Sequence, residues 1–250
     1  MIAALLPSWA VTEHAFTDAP DDPVSLLFPE EAAHVARAVP KRLHEFATVR
    51  VCARTALGRL GLTPGPLLPG RRGAPSWPDG VVGSMTHCQG FRGAAVARAA
   101  DAASLGIDAE PNGPLPDGVL AMVSLPSERE WLAELAARRP DVHWDRLLFS
   151  AKESVFKAWY PLTGLELDFD EAELAVDPDA GTFTARLLVP GPVVGGRRLD
   201  GFEGRWAAGE GLVVTAIAVA APAGAAEGTA DGIGGKATAG EAADDRTAVP

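Results

Sequence analysis

The sequence predicts an α+β fold built in two successive halves. Three observations carry that expectation. A chain of 250 residues that is 47% hydrophobic can bury a substantial core. Apolar residues recur at helical spacing from Glu30 to Leu60, and two further stretches, Pro126 to Arg138 and Asp145 to Tyr160, read as helices. Each helical stretch is followed by short strand candidates, so that both halves run helices first and strands after. The expected boundaries are 1–103 for the first half, 104–222 for the second and 223–250 for a tail. No sequence repeat proves that one half is a duplicate of the other.

In the first half, Pro40 is expected to divide a short helix from a longer one that Gly61 closes, with Arg50 and Arg54 on one face. The next stretch, "LTPGPLLPGRRGAPSWPDG", is too rich in Pro and Gly for periodic structure and reads as a loop. Strands follow at Val81 to Cys88, Gly93 to Ala97 and Ser104 to Asp108, with Gln89-Gly90 as the first turn. In the second half, "PSEREWLAELAAR" (126–138) reads as a helix with Ser127 as N-cap and Glu130 completing a capping box. "DRLLFSAKESVFKAWY" (145–160) reads as a second helix stopped by Pro161. Strand candidates then occur at Ala172 to Val176, Thr182 to Val189 and Leu212 to Val219. From Ala223 on, the Ala-, Gly-, Thr- and Asp-rich chain has too little apolar bulk to offset ordering entropy, and a disordered tail is expected.

Composition excludes several functions. No apolar run approaches the roughly 20 residues of a membrane helix. The apolar start lacks a preceding Lys or Arg and a following Ala-x-Ala-type cleavage site, so a secretory signal is not expected. Cys52 and Cys88 are too few for a disulfide framework or a Cys-based zinc site, and free thiols in a reducing cytoplasm are expected. A net charge of -11 argues against general attraction to nucleic acid or anionic membrane. The charge is uneven, however: Arg37, Lys41, Arg42, Arg50, Arg54, Arg59, Arg71 and Arg72 stand against Glu45 alone. With so few acidic partners at helical spacing, that run reads as a local anion site, for a phosphorylated molecule or an acidic partner.

Three motifs carry chemistry. In "GIDAEP" (106–111) an apolar strand ends in Asp108 and Glu110 on one face, with Ala109 on the other and Pro111 stopping the strand. Two like charges so placed repel unless a cation joins them, and Mg²⁺ favours one or two carboxylates completed by water and phosphate. In "FSAKESVFKAW" a helical wheel puts Ser150, Glu153 and Lys157 in one sector opposite the stripe Leu148, Ala151, Val155 and Trp159. Glu153 and Lys157 are then either an exposed i,i+4 pair or a third metal carboxylate beside a phosphate-binding cation. Lys152 falls among apolar residues on that wheel. In "GSMTHCQG", Thr86 and His87 end a strand before a turn, a position from which ligands are bound. His87 has no second His nearby, which argues against zinc.

Together these motifs resemble the Sfp-type 4'-phosphopantetheinyl transferases, in particular the enterobactin-synthetase-associated and actinobacterial branch. The likeness runs through "PKRLHEFATVRVCARTAL", "GAPSWPDGVVGSMTHCQGFRGAAVA", "SLGIDAEP", "WDRLLFSAKESVFKAWYPLTG" and the closing strands "GRWAAGEGLVVTAIAV", in that order. Ser154 stands where many members have Ala, and Pro69 where close relatives carry a lysine, a contact that Arg71 or Arg72 would have to supply. The resemblance implies two similar α+β halves about a pseudo-two-fold axis, with coenzyme A in the cleft between them. It implies transfer of the phosphopantetheine arm to a serine of an apo acyl or peptidyl carrier protein, with release of adenosine 3',5'-bisphosphate. By position it makes Asp108, Glu110 and Glu153 the Mg²⁺ ligands and sets Thr86 and His87 at a coenzyme A phosphate. Arg42 and Arg50 would meet the nucleotide phosphates and Lys157 the pyrophosphate, with Lys152 on the coenzyme A side as well.

In-line attack of a serine oxygen on a diphosphate phosphorus needs charge neutralisation, a base and a stabilised leaving group. Glu153, directly or through water, is the candidate base, Lys157 the candidate for neutralising the departing phosphate, and His87 a third catalytic candidate. Other readings of the same residues are a metal-dependent nucleotide-diphosphate hydrolase and a non-catalytic binding module. Two fused halves forming one cleft make a monomer the simplest state.

Overall fold

Helix-forming and strand-forming stretches sort into two main sheets, each covered by one 20-residue helix, and a small two-stranded sheet. The computed structural model describes residues 1–19 and 22–222; the tail expected from Ala223 lies outside the described residues. In chain order the elements are β1 (Val11–Ala15), α1 (Pro29–His34), α2 (Pro40–Arg59), β2 (Val81–Cys88), β3 (Phe91–Arg98) and β4 (Ala102–Pro111). Then come α3 (Val119–Val123), α4 (Pro126–Arg138), α5 (Trp144–Thr163), β5 (Ala172–Asp177), β6 (Thr182–Leu187), the two-residue strands β7 (Val193–Val194) and β8 (Arg197–Arg198), β9 (Gly201–Gly209) and β10 (Leu212–Ala220). The architecture is α+β, as predicted.

The first sheet has the order β1-β3-β2 and the second β4-β10-β9-β6-β5, all pairs antiparallel. Helix α2 lays Cys52, Ala53, Ala56 and Leu57 on Ala94 and Val96 of β3. Helix α5 lays Leu147, Leu148, Ala151, Val155 and Trp159 on the second sheet, against Val213 and Ile217 of β10. Between the two sheets, Phe91, Ala95 and Ala97 of β3 meet Leu105, Ile107 and Ala109 of β4. Successive β4 side chains therefore alternate between this inner core and the side facing α5, which leaves Asp108 and Glu110 off the core as the strand period requires.

The edge of β4 facing the first sheet is not paired as a ladder. Its outward N–H groups, at Ile107 and Ala109, instead donate to the hydroxyls of Ser84 (3.1 Å) and Thr86 (3.2 Å) on β2. Two sheet edges are thus joined by side chains, and a cleft opens where that seam ends.

Two expected helix ends are corrected. Ser127 is not the N-cap of α4: Pro126 takes the first helical position, Leu125 is the cap, and Glu128 at the third position reaches back to the Leu125 N–H at 2.7 Å. The Ser127 hydroxyl donates instead to Glu173 at 2.7 Å. Pro161 does not stop α5, which runs on to Thr163 and ends at Gly164 with φ +67. In the last turn a proline forfeits one backbone bond, and other bonds close the end: Gly164 N–H to the Tyr160 carbonyl (2.8 Å), the Thr163 hydroxyl to the Trp159 carbonyl (3.1 Å) and the Trp159 indole N–H to the Leu165 carbonyl (2.9 Å).

Candidate functional site

The seam opens into a cleft of about 720 Å³ with one wall from each half. From the first half come Arg42, Phe46 and Arg50 of α2, Pro69, Gly73 and Pro75 of the loop after it, and Met85, Thr86 and His87 of β2. From the second come Asp108 and Glu110 of β4 and Phe149, Glu153 and Lys157 of α5. Eight of the eleven residues singled out in the sequence share this space; Arg71, Arg72 and Lys152 do not.

Asp108 is the most constrained of them. It is buried, and its Oδ1 accepts the Thr86 hydroxyl at 3.1 Å and the Lys157 ammonium at 2.7 Å. Lys157 also donates to the Ile107 carbonyl at 3.2 Å, which ties α5 to β4 at the site. The second oxygen, Oδ2, is buried with no hydrogen-bond partner among the described residues. An orphaned carboxylate oxygen costs about 1–3 kcal/mol or more when nothing pairs with it, so it marks a place for a cation or a donor.

Glu110 accepts from Arg146 Nη1 at 3.1 Å, and Arg146 also donates to the Gly113 (3.1 Å) and Pro114 (2.6 Å) carbonyls. Burial raises the Glu110 pKa above the usual carboxylate range and Asp108 adds to it, while Arg146 opposes. Among the described residues no hydrogen bond holds the Glu153 carboxylate; burial raises its pKa, and Lys157 on the next turn only partly offsets this. Arg146 was not among the residues expected from the sequence. Its signal is the helical stripe 146, 150, 153 and 157, which extends the expected sector by one turn. Within that stripe Ser150 is a correction: it is fully buried, its hydroxyl 3.0 Å from that of Thr215 on β10.

Among the described residues no three His, Cys, Asp or Glu side chains converge closely enough to hold a metal ion by themselves. The three-carboxylate site expected from Asp108, Glu110 and Glu153 is therefore not preassembled, because Glu110 is drawn to Arg146 and Oδ1 of Asp108 to Lys157. The donors still fit a hard divalent cation. Among the described residues Asp108 Oδ2 and the Glu153 carboxylate have no partner, they stand on contacting elements β4 and α5, and Mg²⁺ needs only one or two carboxylates when phosphate oxygens and waters fill the rest.

On the other wall, Arg42 donates to His87 Nε2, which requires the neutral imidazole protonated at Nδ1. Burial lowers the His87 pKa below its ordinary 6.5, and the Arg42 charge lowers it further. Arg50 is buried over the Phe46 ring, with its Cζ 3.1 Å from the centroid. Its Nε donates to the Leu67 carbonyl at 2.9 Å and its Nη1 to the Phe46 carbonyl at 3.3 Å. Burial brings its pKa down to about 10, so the guanidinium stays charged at neutral pH. That leaves a desolvated cation facing the cleft.

The basic run divides on inspection. Arg54 is bound to the buried Glu31 and Arg59 to Glu13, so acidic partners missing at helical spacing come from elsewhere in the chain. The nine-tenths buried Lys152 gives all three N–H groups to protein oxygens: Glu128 Oε2 (2.9 Å) and the Phe169 (2.6 Å) and Ala172 (3.1 Å) carbonyls. It has none left for a ligand, which corrects its expected place in the cleft. Arg72 pairs with Glu166 across the two halves and lines an adjoining cavity that shares Gly73, Pro75, Met85, Glu153 and Lys157 with the cleft, whereas Arg71 does not line the cleft.

Comparison with known proteins identifies the family. Residues 30–97 match the profile of the 4'-phosphopantetheinyl transferase N-terminal domain, and residues 104–197 that of the 4'-phosphopantetheinyl transferase superfamily. The chain is 94% identical over 250 residues to 4'-phosphopantetheinyl transferase Svp of Streptomyces mobaraensis, covering all of both chains. It is 47% identical over 223 residues to 4'-phosphopantetheinyl transferase PptT of Mycobacterium tuberculosis, covering 87% of this chain and 97% of that one. It is 46% identical over 228 residues to 4'-phosphopantetheinyl transferase Npt of Nocardia iowensis, covering 88% and 100%. The two profiles fall on the two walls of the cleft, and with full-length identity at this level the chain belongs to the 4'-phosphopantetheinyl transferase superfamily.

Proposed function

We propose that this 4'-phosphopantetheinyl transferase moves the phosphopantetheine arm of coenzyme A, with Mg²⁺, onto a serine hydroxyl of apo acyl or peptidyl carrier proteins. The observation that carries the metal-dependent part is the buried Oδ2 of Asp108, which has no partner among the described residues, in a cleft that Glu153 also lines and whose other wall is cationic. In the reaction the serine oxygen forms a bond to the diphosphate phosphorus that bears pantetheine. The bond from that phosphorus to the bridging oxygen breaks, and adenosine 3',5'-bisphosphate leaves.

Each wall has its task. Arg42, Arg50 and His87, with Thr86 beside them, hold the nucleotide phosphates. Lys157 neutralises the diphosphate as charge moves to the leaving oxygen. Asp108 and Glu153 would hold the metal, with Glu110 restrained next to them by Arg146; when bound, the ion supplies charge neutralisation and orientation of the diphosphate. Glu153, directly or through a water, takes the serine proton. The proposed halves, 1–103 and 104–222, supply one wall each, the second sheet beginning two residues before that boundary at Ala102, and the enzyme acts as a cytoplasmic monomer. Both cysteines are free, and no described helix is long and apolar enough to cross a membrane.

The decisive experiment is the mass gain of a panel of apo carrier proteins incubated with the protein, coenzyme A and Mg²⁺. A gain of one phosphopantetheine on each substrate carrier, abolished by replacing its serine with alanine, is expected. Release of adenosine bisphosphate without a modified carrier would mean hydrolysis instead.

Two further results are expected. Arg42 is exposed, so Arg42→Ala leaves the fold intact and raises the KM for coenzyme A roughly tenfold, the loss of one charge-assisted contact. An unchanged KM removes Arg42 from the pocket. His87, held neutral below its ordinary pKa, gains a proton when a phosphate dianion arrives beside it. Binding of coenzyme A without metal near pH 6.5 is therefore accompanied by proton uptake, read by calorimetry in buffers of different ionisation enthalpy. His87→Ala loses that uptake. The sign for stability is the reverse: the unfolded state holds this proton more tightly, so stability falls as pH drops below the ordinary His value.

A further inference from the structure

Two tetrapeptides outside the cleft, Phe28-Pro29-Glu30-Glu31 and Leu125-Pro126-Ser127-Glu128, build the same device once in each half. In both, Pro opens a helix and the Glu two positions on is completely buried. Glu31 Oε2 accepts the Phe28 N–H at 3.0 Å and Glu128 Oε2 the Leu125 N–H at 2.7 Å. The other oxygen of each accepts the N–H of a leucine far along the chain: Leu67 at 2.8 Å for Glu31 and Leu174 at 2.8 Å for Glu128. A cation from the half's 20-residue helix completes each clasp. Arg54 meets both oxygens of Glu31 at 3.1 and 2.9 Å, and Lys152 meets Glu128 at 2.9 Å.

Each clasp ends against one wall of the cleft. Leu67, which Glu31 holds by its N–H, is held through its carbonyl by Arg50, whose Nε lies 3.7 Å from Glu31 Oε1. The chain leaving Leu67 then supplies Pro69, Gly73 and Pro75 to the cleft. In the second half, Lys152 precedes Glu153 and ties down Phe169, whose ring lies 6.1 Å from that of Phe149 in the cleft wall.

We propose that Glu31 and Glu128 are paired positioning residues, one for each wall: Glu31 sets the wall carrying Arg42 and Arg50, and Glu128 the wall carrying Glu153 and Lys157. The proposal rests on the transferase reading, because it assigns the two walls different tasks. A merely structural carboxylate would weaken binding and turnover together when changed. A positioning carboxylate acts on its own wall only. The pair is also the internal correspondence that the sequence alone did not reveal, since only one proline and one glutamate recur at matching spacing.

The test is Glu31→Gln and Glu128→Gln in the full chain, each replacing one acceptor oxygen by a donor with no change of size. Steady-state loading of an apo peptidyl carrier protein and calorimetric binding of coenzyme A are measured together. Glu31→Gln is expected to raise the KM and Kd for coenzyme A by roughly tenfold with kcat within about twofold, and Glu128→Gln to lower kcat by roughly tenfold with Kd within about twofold. Parallel changes in both variants, or no change in either, overturn the proposal. If a glutamine variant does not fold, Arg54→Lys and Lys152→Arg keep each clasp's charge and must show the same split between binding and turnover. A wild-type protein that loads no carrier removes the transferase reading itself, and the coenzyme A Kd then decides alone: a rise confined to the Glu31 clasp supports the division, and equal rises overturn it.

Discussion

Asp108→Asn is expected to lower carrier loading by at least roughly a thousandfold, equivalent to about 4 kcal/mol of lost transition-state stabilisation. Three elements meet on this carboxylate. Thr86 from β2 and Lys157 from α5 share Oδ1, while Oδ2 is buried without a partner among the described residues. Asparagine has the same shape but turns one oxygen into a donor. With the amide nitrogen at Oδ1 it faces two donors, and with the nitrogen at Oδ2 it offers N–H where a cation needs a lone pair. In either orientation Lys157 loses its counter-charge and gains freedom to leave Ile107. Binding of Mn²⁺ in the presence of coenzyme A, followed by electron paramagnetic resonance, should weaken in parallel while the far-UV circular dichroism stays unchanged. Undiminished loading would take Asp108 out of the site.

The features legible in the sequence are those that depend on a local period. Strand alternation placed Asp108 and Glu110 together, and the wheel of α5 brought Glu153 and Lys157 to one side. The same wheel misjudged Ser150, because an angle does not say what covers a face; β10, arriving some 65 residues later, puts Thr215 over it. Arg146 escaped notice because its partner Glu110 lies 36 residues away on a strand. Arg50 reads as one basic residue among eight until the aperiodic loop after α2 folds back and gives it the Leu67 carbonyl. The strand β9 was visible only in part and only through family resemblance. Its glycines depress strand propensity, yet Gly204 is needed where the Phe183 ring lies 2.1 Å from the position of an added Cβ. Lys152 was recognised as lying among apolar residues, but its partner Glu128 stayed hidden behind the misplaced N-cap. For Ser150, Arg50 and Gly204 the missing information is a long-range contact, which no local pattern encodes.

Gly106→Ala should damage the enzyme nearly as much as a change to the site, although residue 106 offers no functional group. A Cβ there would stand 2.1 Å from the Ser154 carbonyl oxygen and 2.8 Å from the Ala158 nitrogen, both backbone atoms of α5. No rotamer relieves such a clash, so α5 must move away from β4. Overpacking of this kind costs about 1–3 kcal/mol or more, and for a chain of this size each kcal/mol lowers Tm by roughly 2–4 °C. Part of the α5 contact is polar and short: Ser104 donates to the Ala158 carbonyl at 2.8 Å, and Lys157 reaches Ile107 and Asp108. A shift of even one ångström separates Glu153 and Lys157 from Asp108, and misplacement on that scale costs roughly a hundredfold in rate. The expected result is a folded protein with a Tm lower by several degrees and loading reduced about a hundredfold, while affinity for coenzyme A, set largely by the α2 wall, falls much less. Loading reduced only in proportion to the unfolded fraction would show that the spacing between β4 and α5 does not limit catalysis. A selective loss of turnover would mean that the glycine before the two carboxylates sets how close the helix bearing their third partner can come.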